Sequence, residues 1–177
     1  MVLDLITGFI AWLAGTITFL IQAYGLVGLF IAAILSSATI VLGVPIEIGI
    51  LLMLSITHMN PFVVGVVAGV GAAIGEMTGY FLGRGSIEAF EKLKHEQVQV
   101  IHRLKQQINS KGVAVILFFT VIPLIPFDVI GIAAGLVEMN PIKFFITAAI
   151  GKSIRFTIIG FAAVYGVQAI LSLFGLP

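Results

Sequence analysis

Residues 44–50 read VPIEIGI and residues 125–132 read IPFDVIGI, and these two stretches decide the fold. Each places an acid, Glu47 or Asp128, two residues after a proline inside a largely apolar chain. Proline removes a helical hydrogen bond, and a charged side chain in hydrocarbon costs several kcal/mol. The two stretches therefore predict places where the backbone breaks beside a polar cavity within a membrane.

Composition sets the class of protein. The chain of 177 residues is 60% hydrophobic and 10% charged, with a mean hydropathy of +1.21. Soluble domains carry roughly 25% charged residues, so we expect an all-α polytopic membrane protein that forms a single domain. The lack of cysteine excludes disulfides and thiolate metal sites. No basic stripe with interleaved aromatic residues points to nucleic acid. We expect no cofactor and no metal.

Positive charge is distributed unevenly. All nine Lys and Arg residues lie at or after Arg84, and six of them fall in one polar segment: Arg84, Lys92, Lys94, Arg103, Lys105 and Lys111. Positive charge resists translocation, so this segment is predicted to be cytoplasmic in a multi-pass protein of the cell membrane. Residues 85–111 have apolar side chains at roughly helical spacing, which is typical of an amphipathic helix on the headgroups.

Two apolar runs, 62–83 and 142–165, are long enough to span a bilayer, which takes about 20 residues. Residues 3–21 are also predicted to be helical, either as a span or at the interface, with a break at Tyr24-Gly25. The first full span carries a stripe of small residues, which favours close helix packing: Gly71, Gly75, Gly79 and Gly83.

The two halves of the sequence match each other. MNP at 59–61 recurs at 139–141, and the same offset carries VAGVG at 67–71 onto TAAIG at 147–151. Each unit contains a segment with a proline and an acid, a turn and a span. The predicted divisions are repeat one at about 37–84, the amphipathic helix at about 85–111, and repeat two at about 112–166.

The repeat is predicted to be inverted, with each proline-acid segment forming a re-entrant helical hairpin. Hairpins that return to their own side place the second MNP turn in the cytoplasm, which suits Lys143. The breaks are expected at Pro45, Pro123 and Pro126, because non-helical backbone at membrane depth needs protein or a wet cavity around it. The alternative is a pair of proline-kinked spans whose acids bond to neighbouring helices.

Charged side chains also fall deep within the two spans. Glu76 lies about 21 Å along the first span, and Lys152 and Arg155 lie about 15 and 20 Å along the second. We expect them to form an acid–base cluster with the hairpin acids, either as a substrate or proton pathway or as ion pairs that fix the packing. The candidate site residues are Glu47, Glu76, Asp128, Lys152, Arg155 and Arg84.

The stretch GAAIGEMTGYFLGR at 71–84 resembles the G-x-x-x-G-[DE]-x-x-x-Y-x-x-G-R pattern of the DedA/VTT family, also called SNARE-associated Golgi proteins. PFDVIGIAAGL at 126–136 resembles the second hairpin of that family, and the resemblance extends from YGLVGLF at 24–30 to AAIGKSIR at 148–155. On this resemblance Glu47, Glu76, Asp128 and Arg84 fall on motif positions. Two positions depart from the family pattern: Ser36 and Ser37 stand where many members have a glutamate, and Phe119 and Thr120 where many have an arginine.

The resemblance implies an integral membrane transporter that translocates or scrambles an anionic lipid, either a phospholipid or a polyprenyl phosphate, with proton coupling. The alternatives are a proton-coupled exporter of small solutes or drugs and a non-transporting membrane scaffold. We see no nucleophile paired with a base, so no enzyme is expected. Membrane lipid is the expected partner, with protons and further copies of the chain as other candidates.

Overall fold

The computed structural model describes residues 2–38, 46–86, 112–114, 116–118, 120–121 and 127–173. Within these ranges the regular structure is helical throughout, as predicted, and residues 112–114, 116–118 and 120–121 belong to helical turns. The principal helices, numbered in chain order, are α1 Val2–Ala38, α2 Ile46–Thr57, α3 Pro61–Gly85, α4 Phe127–Leu136 and α5 Pro141–Leu173.

Three helical stretches are long and apolar enough to cross a membrane, judged by length and composition. They are Gly15–Ala38 in α1, Pro61–Gly85 in α3 and Pro141–Gly166 in α5. The second and third confirm the predicted spans, with every end within two residues of its predicted position. Helices α3 and α5 each begin at the proline of an MNP turn. The protein is therefore a helical membrane protein.

Helix α1 bends sharply at Gly25. This residue has φ 56° and ψ −126°, a backbone conformation that only glycine adopts readily. A Cβ atom at Gly28 would collide with the carbonyl oxygen of Leu20, because the chain turns back towards itself at the bend. The predicted break at Tyr24-Gly25 is confirmed, and α1 consists of two helical arms.

The turn between α2 and α3 combines a hydrogen bond that ends α2 with a cap that begins α3. His58 adopts φ 51°, and its N–H donates to the carbonyl oxygen of Leu54 at 3.1 Å, which closes the last turn of α2. Asn60 then caps α3, since its Oδ1 accepts from the N–H of Phe62 at 2.9 Å. Pro61 follows at the first helical position, where its missing N–H is harmless.

The turn between α4 and α5 repeats this geometry. Glu138 has φ 54°, and the N–H of Met139 donates back into the last turn of α4 at 3.0 Å. The Oδ1 of Asn140 accepts from the N–H of Ile142 at 3.0 Å and so caps α5. His58 and Glu138 each directly precede an MNP motif, so sequence similarity at the turns corresponds to the same local structure.

Helix α3 packs against α1, α4 and α5. Against α5 the backbones almost touch: a Cβ added at Gly65 would lie 2.5 Å from the backbone nitrogen of Thr157, and one added at Gly69 would lie 2.5 Å from the Cα of Ser153. Residue numbers rise along α3 as they fall along α5, so the two long helices are antiparallel. Glycine allows this approach because it has no Cβ.

The predicted packing role of the small-residue stripe is confirmed where α3 meets α1 and α4. A Cβ at Gly71 would lie 2.6 Å from the carbonyl oxygen of Phe30 in α1, and one at Gly83 would lie 2.9 Å from the Cα of Ile132 in α4. The predicted breaks at Pro45, Pro123 and Pro126 lie outside the described residues, as does the predicted amphipathic helix beyond Ser86.

Candidate functional site

A charged pair links α2 to α5. Glu47 lies in the first turn of α2, and its Oε1 accepts from Nη2 of Arg155 at 2.6 Å. The Arg155 side chain is 15% exposed and that of Glu47 is 26% exposed. Charge-assisted bonds of this length are among the stronger hydrogen bonds in proteins. The pair is therefore firmly made and still partly accessible from outside the protein.

A second charged pair links α3 to α5. Nζ of Lys152 lies 3.1 Å from Oε2 of Glu76, and the two side chains are only 5% and 2% exposed. The ammonium group also donates to the carbonyl oxygen of Ala72 at 3.5 Å, a long bond. A buried charge is tolerated when an opposite charge and hydrogen bonds compensate it. This pair lies within the packing of the long helices.

The two pairs form one ion-pair cluster of Glu47, Glu76, Lys152 and Arg155. Lys152 and Arg155 are three residues apart on α5 and therefore lie on neighbouring parts of one helical face. The cluster joins α2, α3 and α5 and carries no net formal charge. Four of the six predicted site residues thus come together, and the pairs differ in accessibility.

Arg84 lies elsewhere. It follows Glu76 by eight residues, or about 12 Å along α3. Its Nη1 donates to the hydroxyl of Tyr80 at 3.0 Å, and that hydroxyl donates to the carbonyl oxygen of Met139 in the second turn. Tyr80 is fully buried and stacks on Phe144 with ring centroids 5.2 Å apart. Arg84 therefore belongs to a clamp on the α4–α5 turn.

Residues 44–165 match the family model of the VTT domain. The chain belongs to the VTT-domain family. The matched region contains both turns, the whole of α3, most of α5 and the whole ion-pair cluster. Comparison with curated proteins gave no match, and comparison with solved structures gave none either.

Thr120 is one of the residues at which the sequence was expected to depart from the pattern that it resembles, and the structure places it against α5. Thr120 is fully buried, and its hydroxyl donates to the carbonyl oxygen of Ile116 at 2.6 Å. A Cβ added at Gly151 would lie 2.7 Å from the Cβ of Thr120, so Thr120 packs directly on α5 next to Lys152.

Asp128, the remaining predicted site residue, lies near the start of α4, and its side chain is outside the described part of the structure. Its place in the site stays a prediction. Among the described residues no group of three or more His, Cys, Asp or Glu side chains is arranged to hold a metal ion.

Sequence reasoning did not select Tyr80, Thr120 or the carbonyl of Ala72 as parts of the site. The tyrosine of the VTT motif was a usable signal for Tyr80. Thr120 and the carbonyl of Ala72 are brought to the site by helix packing, and no local sequence signal specifies which helices pack together.

Proposed function

We propose that this VTT-domain protein translocates or scrambles an anionic lipid across the membrane, with Arg155 binding the lipid phosphate and Glu47 competing for the same guanidinium. The observation that carries the proposal is the partly exposed Arg155–Glu47 pair within apolar helices. An arginine at this depth is costly in a membrane protein and is a candidate for function by default. Guanidinium groups bind carboxylates and phosphates with the same planar fork of donors.

The coupling we propose follows from that competition. While Glu47 is ionised it holds Arg155, as in the structure. A proton on the Glu47 carboxylate removes its charge and weakens the pair, which leaves Arg155 to a phosphate oxygen. Loss of that proton restores the pair and expels the phosphate. The Lys152–Glu76 pair, being buried, holds α3 and α5 together while this exchange occurs.

The proposal includes an inverted repeat, and the contacts of the short helices support it. Along α2 and α5, Glu47 bonds to Arg155, and further on Leu54 lies 3.3 Å from the Cβ position of Gly160. Residue numbers rise together along these two helices, so α2 runs parallel to the long helix of the other repeat.

The second short helix behaves in the same way. Along α4 and α3, the Cβ position of Gly131 lies 3.3 Å from the carbonyl oxygen of Glu76, and that of Gly135 lies 3.0 Å from the carbonyl carbon of Tyr80. Helix α4 is therefore parallel to α3, the long helix of the first repeat. Exchanged partners around an antiparallel α3–α5 pair are what an inverted repeat would produce.

The lengths of α2 and α4 support re-entrant hairpins. Helix α2 has 12 residues and α4 has 10, which correspond to about 18 and 15 Å. The hydrocarbon core is about 30 Å thick, so neither helix crosses it alone. We also propose the cell membrane as the location, with residues 85–111 cytoplasmic, assembly as a homo-oligomer, no nucleic-acid partner and no enzymatic activity.

The test uses purified protein in liposomes with a fluorescent phosphatidylglycerol, whose movement to the outer leaflet is read by chemical quenching. Arg155→Ala is expected to abolish movement while the helical circular dichroism is retained. Lys143→Ala, at the exposed start of α5, is the matched control and should leave the rate unchanged. Unchanged flux in Arg155→Ala would remove Arg155 from the mechanism.

A double variant, Arg155→Ala with Glu47→Gln, separates phosphate binding from simple charge balance. If Arg155 only neutralises Glu47, the double variant moves lipid again, which contradicts the proposal. Movement of a soluble substrate driven by a pH gradient, without lipid movement, would instead favour the exporter. The scaffold would be favoured if Glu47→Gln and Asp128→Asn leave function unchanged while deletion of residues 85–111 abolishes it.

A further inference from the structure

The two arms of α1 pack on different parts of the protein. The first arm, residues 2–24, packs on α2: a Cβ atom added at Gly49 would lie 3.4 Å from Cγ2 of Ile17 and 3.0 Å from Cδ1 of Ile21. Both isoleucines are buried. Glycine lets the two helices approach closely at this point, so the first arm and α2 form one tightly packed pair.

The second arm, residues 26–38, packs on α3 instead. A Cβ atom at Gly75 would lie 2.8 Å from the Cβ of Ser37, which adds to the backbone contact at Gly71. This arm therefore belongs to the frame that α3 forms with α5, whereas the first arm belongs with α2. The two arms are joined at Gly25, whose positive φ produces the bend.

Two residues with positive φ lie at the same end of the pair formed by the first arm and α2. The Cβ position of Gly25 lies 4.0 Å from Cε of Met53, near the end of α2, while Ile21 reaches Gly49 earlier in that helix. The first arm therefore runs parallel to α2, and Gly25 lies towards the end of α2 that leads into the turn at His58. Residues at the ends of helices that absorb changes in φ and ψ act as hinges.

On the side that faces α5, the packing of α2 is looser. A groove of about 680 Å³ separates the two helices, with Leu51 on one wall and Ile159 on the other. The Arg155–Glu47 bond joins the same two helices at the start of α2. Closely packed surfaces resist relative movement, so α2 is held more firmly by the first arm than by α5.

We propose that the first arm and α2 move together as one unit against the α3–α5 frame, by rotation about Gly25 and His58. This rotation makes and breaks the Arg155–Glu47 pair. Glu47 lies 11 residues before His58, which places it about 16 Å from that hinge along α2. A rotation of about 10° therefore moves Glu47 by about 3 Å, which is enough to break a hydrogen bond of 2.6 Å.

This inference deepens the proposed function, because opening of the pair would give a phosphate access to Arg155. It rests on that function for the purpose of the movement alone, since the packing that defines the unit does not depend on a lipid. The first arm precedes residue 44 and so lies outside the region that matches the VTT domain. The moving unit thus includes a part of the chain that the family model does not cover.

Distances between spin labels test the movement. The chain contains no cysteine, so each protein carries only two introduced cysteines, and the distance between their labels is measured in liposomes by pulsed electron paramagnetic resonance. The label positions are exposed and represent the first arm, α2, the second arm and α5: Ala11, Ile48, Ile31 and Ile146, respectively. Each distance is compared with and without Arg155→Ala, which removes the bond to Glu47.

The substitution is expected to shift the Ala11–Ile146 and Ile48–Ile146 distances by about 3 Å, as a rotation of about 10° would. The Ala11–Ile48 distance should stay unchanged, because both labels lie on the moving unit. The Ile31–Ile146 distance is the matched control within the frame and should also stay unchanged. Glu47→Gln breaks the same pair from the other side and should produce the same shifts.

Three results would overturn the inference. They are an absence of any shift, a shift between Ala11 and Ile48, which would mean that α2 moves alone, and a shift between Ile31 and Ile146 as large as in the test pairs, which would mean that Gly25 is not a hinge. Shifted distances in a protein that does not move lipid would contradict the proposed function alone. Lipid movement by a protein whose distances respond to neither substitution would contradict this inference alone.

Discussion

The buried Lys152–Glu76 pair makes a quantitative prediction about stability. The ammonium and carboxylate are 3.1 Å apart, and their side chains are 5% and 2% exposed. Removing one member of such a pair leaves an uncompensated charge in an apolar interior, at a cost of about 3–5 kcal/mol. Lys152→Met and Glu76→Gln are each expected to lower the free energy of unfolding by about that amount.

The double variant should behave differently. When both charges are replaced by uncharged side chains of similar size, no buried charge remains, and such replacements are often neutral or stabilising. We expect the double variant to lie within about 1.5 kcal/mol of the unmodified protein, so that the two substitutions couple strongly.

The measurement is the loss of helical circular dichroism as sodium dodecyl sulfate is added to the protein in mild detergent micelles. Lys143→Met, which removes an exposed positive charge from the same helix, is the control and should shift the unfolding free energy by less than about 0.5 kcal/mol. Additive effects of the two single variants, or single effects as small as the control, would show that the pair does not stabilise the α3–α5 packing.

Other contacts make further predictions in the same unfolding assay. Gly69→Ala should cost about 1–3 kcal/mol because its methyl group would meet the α5 backbone, whereas Gly166→Ala, with nothing within 4 Å, should be neutral or slightly stabilising. Tyr80→Phe leaves the carbonyl of Met139 without its buried donor and should cost about 1–3 kcal/mol. An unchanged free energy of unfolding would show that this hydrogen bond is dispensable. Asn60→Ala and Asn140→Ala each remove an N-cap and should each cost about 0.5–2 kcal/mol; equal stability would mean that water replaces the cap.

The elements of the fold with local signals were predictable. The spans at 62–83 and 142–165 follow from length and hydropathy, and the turns follow from Asn-Pro, in which the asparagine caps and the proline opens a helix. The break at Gly25 also has a local cause, since few other residues tolerate its backbone angles.

The pairing within the site was not predictable. The sequence predicts that Glu47, Glu76, Lys152 and Arg155 lie within membrane segments, but it does not show which acid meets which base. The Lys152–Glu76 pair depends on the register of α3 against α5, where the two backbones approach closely at Gly69, and the Arg155–Glu47 pair depends on how α2 packs on α5. Tertiary contacts of this kind leave no periodic trace in the sequence, so the distinction between the exposed pair and the buried pair emerged only from the structure.

The near-contact of the α3 and α5 backbones has a mechanical consequence. With glycines where side chains would otherwise interdigitate, the two helices have no layer of rotatable groups between them to absorb sliding. They should move as one rigid body, and any rearrangement during a working cycle would fall to the short helices at its flanks. If α3 and α5 stay rigid while α2 moves, amide hydrogen exchange should be slow along the α3–α5 contact and faster in Ile46–Thr57.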